Sequence, residues 1–440
     1  MSATVALPGP TLGANIRTRL SIMMFLQYAF NGIWIIPLNN YLTKTCHYTF
    51  AEAGAVFGTF AIGFIIAPFF VGMIADRFFS AQKVLGVLNL AGAGTLYLAS
   101  QMAMDASGNK QPQVLFWIML AHFICYAPTW ALTNAISLNQ MNNPGKQFPA
   151  IRVMGTFGWI AVSLVSLFSD DITRVFGRTM NWEYTNLPMI IGAAIGVGTA
   201  LLSFFMPATP PKSTGHRPTF GDILGIKALR LFKDRNFLIF ALTSFLILLP
   251  AMFYWGFCNA YLNEVGMKEV QAKQSIGQMA EVVFLFLMPL FFVRWGVKTM
   301  LTVGFLAWMA RFACFAFGYQ TESVAPLLYV GLALHGVCYD FFFVTGQLYT
   351  DKKAPREIQA SAQGLITLIT FGLGWLLGSI LSGKVIDAFV TTRDAAGGAT
   401  MHDWRIIWLI PLGMAAVLLV FFVIGFKDKM LVIDKAPTDR

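Results

Sequence analysis

Residues 406–426 read IIWLIPLGMAAVLLVFFVIGF, a stretch that contains no Asp, Glu, Lys or Arg. A helix that crosses the apolar core of a lipid bilayer needs about 20 such residues, because each adds about 1.5 Å to its length. Seven further stretches are equally free of charge, and four more contain one charged residue each. The sequence therefore predicts twelve membrane-spanning helices, numbered in chain order: Leu20–Thr43, Ala53–Ala75, Val84–Met104, Gln111–Gly145, Gln147–Ser169, Tyr184–Pro211, Asn236–Asn263, Gln274–Val293, Thr299–Thr321, Ser323–Thr350, Ile358–Gly383 and Ile406–Phe426.

The composition of the 440-residue chain agrees with a membrane location. Hydrophobic residues make up 57% and charged residues 12%, whereas soluble domains carry about 25% charge. This excludes a soluble enzyme, a disordered chain and a disulfide-stapled secreted module. The five cysteines show no CxxC or CxxH spacing, so neither a metal site nor a disulfide framework is predicted. No cofactor is expected, and the N-terminus lacks the pattern of a signal peptide.

The only long polar interruption divides the chain into two halves. We expect an all-α integral membrane protein with two six-helix bundles, 1–207 and 237–440, the second ending in a short cytoplasmic tail. A central loop, 208–236, joins them on the cytoplasmic side.

The distribution of basic residues predicts the orientation. With both termini in the cytoplasm, 20 of the 31 Lys and Arg residues fall in cytoplasmic segments and 9 in outer loops, as the positive-inside rule expects. The same excess accounts for the net charge of +10, so no nucleic-acid partner is needed.

Two loop sequences point to a known superfamily. The loop after helix 2 reads GMIADR at 72–77, and the corresponding loop after helix 8 reads VRWGVK at 293–298. The first resembles the loop signature of the major facilitator superfamily, although Phe79 stands where a second glycine is usual, and the second is a weak echo. Six plus six helices with a cytoplasmic central loop is also the layout of that superfamily.

Polar side chains inside a membrane should face protein or a water-filled cavity. Gln27, Asn31 and Trp34 share one face of helix 1, and Asn259 adds to helix 7. The alternative to lining a cavity is a structural role: the polar residues would form hydrogen bonds between packed helices, and aromatics such as Trp34 would only pack against their neighbours. The histidines His122 and His335 are expected to be core residues rather than proton carriers.

The charged residues within the predicted spans carry more information. Burying a charge at the bilayer centre costs about 2.5–3.5 kcal/mol on insertion scales, which calls for a partner or a function. Glu281 and Asp340 are the carboxylates within the predicted spans, and both are candidates for proton coupling and for substrate binding. Arg152 is expected to be a cation of the central cavity, and Arg311 a structural tie.

The chain resembles the bacterial nucleoside–proton symporters within that superfamily, from helix 1 to helix 12. The matching motifs are FLQY (25–28), YAPT (126–129), FPAIRVMGTFG (148–158), Gln278 with Glu281, Arg311 with Phe312, DFF (340–342), ASAQG (360–364) and SGKV (382–385). The resemblance implies proton-driven import of nucleosides across the bacterial inner membrane by alternating access. It also implies that Arg152, Thr156, Gln278, Glu281 and Asp340 serve the substrate pocket, with Tyr339 as an aromatic platform.

One departure from the family pattern concerns the substrate. Helix 7 reads MFYW at 252–255 where relatives can supply amides, so the pocket wall is expected to be larger and more aromatic. A sugar or another hydroxylated metabolite is the alternative substrate on the same scaffold. The sequence contains no catalytic motif, which argues against a membrane-embedded enzyme, and no soluble signalling domain, which argues against a sensor. It also contains no ATP-binding motif, which argues against ATP-driven transport. We expect a monomer whose partners are its small-molecule substrate, protons and the lipid bilayer.

Overall fold

The computed structural model describes residues 12–70, 79–177, 180–210, 226–393 and 399–428. Within these ranges, twelve helices are long and apolar enough to cross a membrane, and each coincides with one predicted span. The twelve helices are Ala14–Thr45, Phe50–Phe70, Ala81–Met102, Pro112–Asn139, Lys146–Val175, Leu187–Phe204, Arg235–Glu264, Val270–Phe292, Val297–Phe317, Glu322–Lys353, Ser361–Ala388 and Trp404–Gly425. The loop motif at 72–77 and most of the central loop lie outside the described residues.

Local sequence explains where helix 4 gives way to helix 5. The prediction carried helix 4 to Gly145, but this helix ends at Asn139. The helical backbone of helix 5 begins at Pro144, two residues before the spanning stretch given above, and the Asn143 side chain accepts a hydrogen bond from the Lys146 N–H at 3.3 Å. Asn is a favoured residue immediately before a helix, and Pro is favoured at its first position.

Proline also interrupts two of the long helices. Proline has no N–H, so it leaves the carbonyl four residues earlier without its helical partner. Helix 7 is divided at Ile247 into Arg235–Leu246 and Leu248–Glu264, three residues before Pro250. Helix 1 is interrupted at Pro37, which leaves the Ile33 carbonyl free to accept a hydrogen bond from another helix.

Three helices contain a segment of wider π-helical turns. These segments are Tyr41–Thr45 in helix 1, Tyr339–Val344 in helix 10 and Leu368–Gly374 in helix 11. A π-helical turn shifts every later side chain around the helix axis, and such turns are frequent at functional sites. Helix 10 therefore changes its register where Asp340 lies.

One loop adds a short sheet to the helical fold. Val390–Arg393 and Ala399–His402 form a two-stranded antiparallel sheet between helices 11 and 12. The strand VTTR is rich in β-branched residues, which favour extended backbone. His402 fastens this hairpin to helix 7, since its Nδ1 lies 2.9 Å from a carboxylate oxygen of Glu264.

The helices pack as two groups of six. Helix 1 packs on helix 5 and helix 3 on helix 6 in the first group, while helix 7 packs on helix 11 and helix 9 on helix 12 in the second. The groups meet where helix 2 contacts helix 11 and where helix 5 contacts helix 8. We call the end that holds the loops after odd-numbered helices the far end, and the end that holds the termini and the central segment the near end.

Candidate functional site

The two predicted carboxylates lie on helices 8 and 10, and these helices approach each other closely. A Cβ added to Gly336 of helix 10 would lie 2.6 Å from the carbonyl carbon of Ala280 and 2.7 Å from the Glu281 nitrogen. Only a glycine permits this separation of the two backbones. As a result, Glu281 and Asp340 interact electrostatically.

Asp340 is buried with its hydrogen-bonding capacity unused. It lies in the π-helical segment of helix 10 and is 1% exposed. Among the described residues, neither of its carboxylate oxygens has a hydrogen-bond partner. Buried polar atoms are almost always paired in folded proteins, so an unpaired carboxylate here indicates a group that binds something other than the protein.

Glu281 is connected to Arg311 through an imidazole. Glu281 Oε2 lies 3.7 Å from His335 Nε2, and His335 Nδ1 lies 3.2 Å from Arg311 Nη1. Since an arginine can only donate, His335 Nδ1 must accept, and the proton of the neutral ring is then on Nε2, facing Glu281. Arg311 is fully buried and lies over the ring of Tyr254.

The first half contributes a positive charge, Arg152, to the region of the two carboxylates. Arg152 of helix 5 lies with its guanidinium 4.4 Å from the ring centre of Tyr28 and interacts electrostatically with Glu281. Thr156 follows one turn later on helix 5, and both residues are half-buried. Gln278, one turn before Glu281, has a side-chain oxygen without a partner among the described residues. The site therefore draws polar groups from both halves.

Aromatic rings form one side of this region. Trp255 of helix 7 stacks on Trp375 of helix 11, with ring centres 5.3 Å apart and planes inclined by 17°. Phe343 lies 5.6 Å from the ring of Trp255 and 5.6 Å from that of Tyr339. The ring centre of Tyr339 lies 6.0 Å from that of His335, which itself faces Glu281, so this aromatic cluster adjoins the charged groups.

Three predicted site residues lie elsewhere. Gln27 is inside the first bundle, where its Nε2 donates to Thr129 at 2.7 Å and its Oε1 accepts from Asn89 at 3.3 Å. Trp34 is also buried in that bundle, with His122 5.3 Å away. For these two residues the contacts are those of the packing alternative.

Asn259 belongs to a polar network at the far end. Its side chain accepts from Asn40 at 2.5 Å and donates to Gln274 at 2.8 Å. The network also includes the Ile33 carbonyl freed by Pro37, which accepts from Gln271 Nε2 at 2.9 Å. Asn259 thus joins the two halves instead of lying beside Glu281.

Sequence reasoning missed Glu183, a buried acid in the loop before helix 6. It is 2% exposed, and Asn263 and the Gln271 N–H donate to it at 2.9 and 3.0 Å. Burial raises the pKa of Glu183, and these hydrogen bonds oppose that rise. A short polar loop gives no sequence signal for such burial, because the Asn263 and Gln271 donors come from the other half of the chain.

Taken together, the fold and the site define a secondary transporter: two six-helix groups each contribute charged groups of opposite sign from within their membrane-spanning helices. The family described as nucleoside H+ symporter matches residues 14–430. This protein belongs to that family, which has the major facilitator superfamily fold, and it is a proton-coupled nucleoside transporter rather than an enzyme.

Individual relatives agree with the family assignment. The putative nucleoside transporter YegT of Escherichia coli is 39% identical over 411 residues, covering 93% of each chain. The nucleoside permease NupG of Escherichia coli is 31% identical over 430 residues, covering 94% of this chain and 97% of the permease. A crystal structure of the nucleoside transporter NupG superimposes with a TM-score of 0.81 at 29% identity, covering 94% of this chain and 100% of that one.

Proposed function

We propose that this protein imports nucleosides with protons through a site formed by Asp340, Glu281 and Arg152, alternately open to either side of the membrane. The observation that carries the proposal is the buried Asp340 carboxylate, which makes no hydrogen bond among the described residues and interacts electrostatically with Glu281. Such a group is costly in a membrane unless it binds a proton or a ligand. Membership of the symporter family supports both roles.

The chemistry of a nucleoside fits the groups at this site. Its ribose hydroxyls can donate to Asp340 and to the unpaired oxygen of Gln278, while Arg152 and Thr156 can donate to the edge of the base. A flat base can stack on the Trp255, Phe343 and Tyr339 cluster, and stacking on an aromatic side chain is worth about 1–3 kcal/mol per base. The extent of this aromatic wall favours the larger purine bases.

Coupling follows from the division of charges between the halves. Arg152 lies on helix 5 and Glu281 on helix 8, so a movement of one half against the other changes their attraction. A nearby cation favours the ionised form of a carboxylate. Separation of the halves therefore promotes proton uptake by the acidic pair, and their approach promotes proton release.

The topology of the proposal has both termini in the cytoplasm of a bacterial cell. Residues 1–207 and 237–440 are then the two moving bundles, 208–236 is the cytoplasmic connection, and the protein acts as a monomer in the inner membrane. The excess of Lys and Arg in the near-end segments supports this orientation. The far end, where the halves are in contact through the Asn259 network, then faces the outside.

Uptake of labelled adenosine and uridine into cells that lack their own nucleoside carriers tests the function. We expect uptake that collapses when an uncoupler removes the proton gradient, with adenosine preferred over uridine. Protein that reaches the membrane but takes up neither nucleoside would overturn the proposal. Uptake that is insensitive to the uncoupler would contradict proton coupling but leave nucleoside transport through this site standing.

His335 gives a second test of the site. In His335→Leu, Arg311 loses its acceptor and Glu281 loses the N–H that faces it. An unmet buried donor costs about 1–3 kcal/mol, so we expect uptake to fall about tenfold or more. His335→Gln keeps an acceptor and a donor on a side chain of similar length, and it should stay within about threefold of wild type. Equal damage in both variants would contradict this role, and thermal unfolding of the purified proteins controls for stability.

A further inference from the structure

Helix 2 begins against a carboxylate of the other half. Asp387, at the far end of helix 11, accepts hydrogen bonds from the backbone N–H groups of Phe50 and Ala51 at 2.9 and 2.8 Å. These are the first two residues of helix 2. The helices touch one turn further in, where a Cβ on Gly54 would collide with the Ser379 carbonyl oxygen.

Helix 8 begins in the same way against Glu183 of the first half. One oxygen of Glu183 accepts from the backbone N–H of Gln271, the second residue of helix 8, at 3.0 Å. The other oxygen accepts from Asn263 Nδ2 at 2.9 Å and from Asn40 Nδ2 at 3.2 Å. Both oxygens are therefore occupied, and two of the three donors come from the second half.

The two contacts correspond in the order of the helices. Helices 2 and 8 are each second in their group of six, while Asp387 ends the fifth helix of the second group and Glu183 follows the fifth helix of the first. The backbone preceding the two capped helices also corresponds. Among the described residues, the non-glycine residues with positive φ are His47 at 56° and Glu269 at 53°, just before helices 2 and 8 respectively. The far end thus holds one arrangement twice, as expected for transporters built from structural repeats.

A carboxylate at a helix start is a strong contact for two reasons. The first backbone N–H groups of a helix have no partner within it, and they carry the positive end of the helix dipole. Hydrogen bonds to a charged acceptor are also stronger than those between neutral groups. Since each carboxylate and the helix it caps belong to different halves, neither contact can persist when the halves separate at the far end.

We propose that Asp387 and Glu183 are paired latches that hold the far end closed and release together when it opens. The proposal rests on the alternating-access cycle proposed above and adds the groups that set the stability of one of its closed states. Each carboxylate belongs to a rigid bundle, so the loss of one latch weakens the other through the movement of the whole half. If instead each carboxylate only capped its own helix, its loss would destabilise that helix and leave the other contact unchanged.

Hydrogen–deuterium exchange of the full-length protein in lipid nanodiscs, read by mass spectrometry, separates these cases. Asp387→Asn should speed exchange at residues 50–54, which it caps, and also about fivefold at residues 270–274 in the other half. Glu183→Gln should do the reverse. Exchange follows local opening, so acceleration confined to the capped helix, or absent at both, would overturn the proposal.

Glu52→Gln is the matched control. Glu52 lies at the start of helix 2 and its carboxylate accepts from Thr49 N at 2.8 Å and from Lys110 Nζ at 2.8 Å, all within the first half. Its loss should affect residues 50–54 and leave 270–274 unchanged. If the neutral variants fail to fold, Asp387→Glu and Glu183→Asp keep the charge but change its reach, and the same remote acceleration is expected. Exchange needs no substrate, so a failure of nucleoside uptake would leave this result standing.

Discussion

Asp340→Asn will abolish the accumulation of nucleoside against a gradient, lowering it at least about 100-fold, which corresponds to roughly 2.7 kcal/mol. Asn has nearly the shape of Asp but cannot bind and release a proton. Neither oxygen of Asp340 has a partner among the described residues, so the substitution breaks no hydrogen bond within that part of the protein. Removing a buried charge without a partner should leave the unfolding temperature equal to or above that of the wild type.

A control variant and an exchange assay test this prediction further. Asp351→Asn is the matched control, because Asp351 lies near the end of the same helix with an exposed side chain. Exchange of labelled for unlabelled nucleoside without a gradient then distinguishes the roles of Asp340. Loss of accumulation with retained exchange assigns it the proton, and loss of both assigns it to substrate binding as well. Accumulation near the wild-type level would exclude Asp340 from either role.

The fold could be predicted from sequence because its signal is local. Each span is a mostly apolar run with at most one charged residue, and the length of the run identifies a crossing helix. The strands Val390–Arg393 and Ala399–His402 were missed because each is only four residues long. The end of helix 4 was misplaced because charge counting overlooked Asn143 and Pro144, whose capping role could have been read from the sequence.

The site could be predicted only in part, since its geometry depends on contacts between distant residues. Glu281, Asp340 and Arg152 could be singled out as candidates from the sequence because a charge in a membrane helix is costly wherever it points. Gln27 and Asn259 were grouped with them from helical spacing, which gives the face of a residue but not its partner. Gln27 meets Thr129 across 102 residues, and Asn259 meets Asn40 across 219.

Gly336→Val should separate helix 8 from helix 10 and remove most transport activity. The atoms that an added Cβ meets are backbone atoms of Ala280 and Glu281, at 2.6–2.7 Å, and they cannot yield as a flexible side chain would. Overpacking of this kind costs about 1–3 kcal/mol. We expect a lower unfolding temperature and at least a tenfold loss of uptake, with Gly336→Ala intermediate.

The control for this variant is Gly94→Val on helix 3, where an added Cβ meets nothing within 4 Å. Wild-type uptake by Gly336→Val would show that the close approach of the two helices is unimportant. The result complements that of Asp340→Asn, because the two variants disturb different properties of the acidic pair. Asn at 340 keeps the geometry and removes a proton carrier, whereas Val at 336 keeps both carboxylates and changes the distance between them. Suppose Gly336→Val loses nucleoside binding while Asp340→Asn retains it. Binding then depends on the spacing of the two carboxyl groups, whereas proton-driven import depends on the ability of Asp340 to carry a proton.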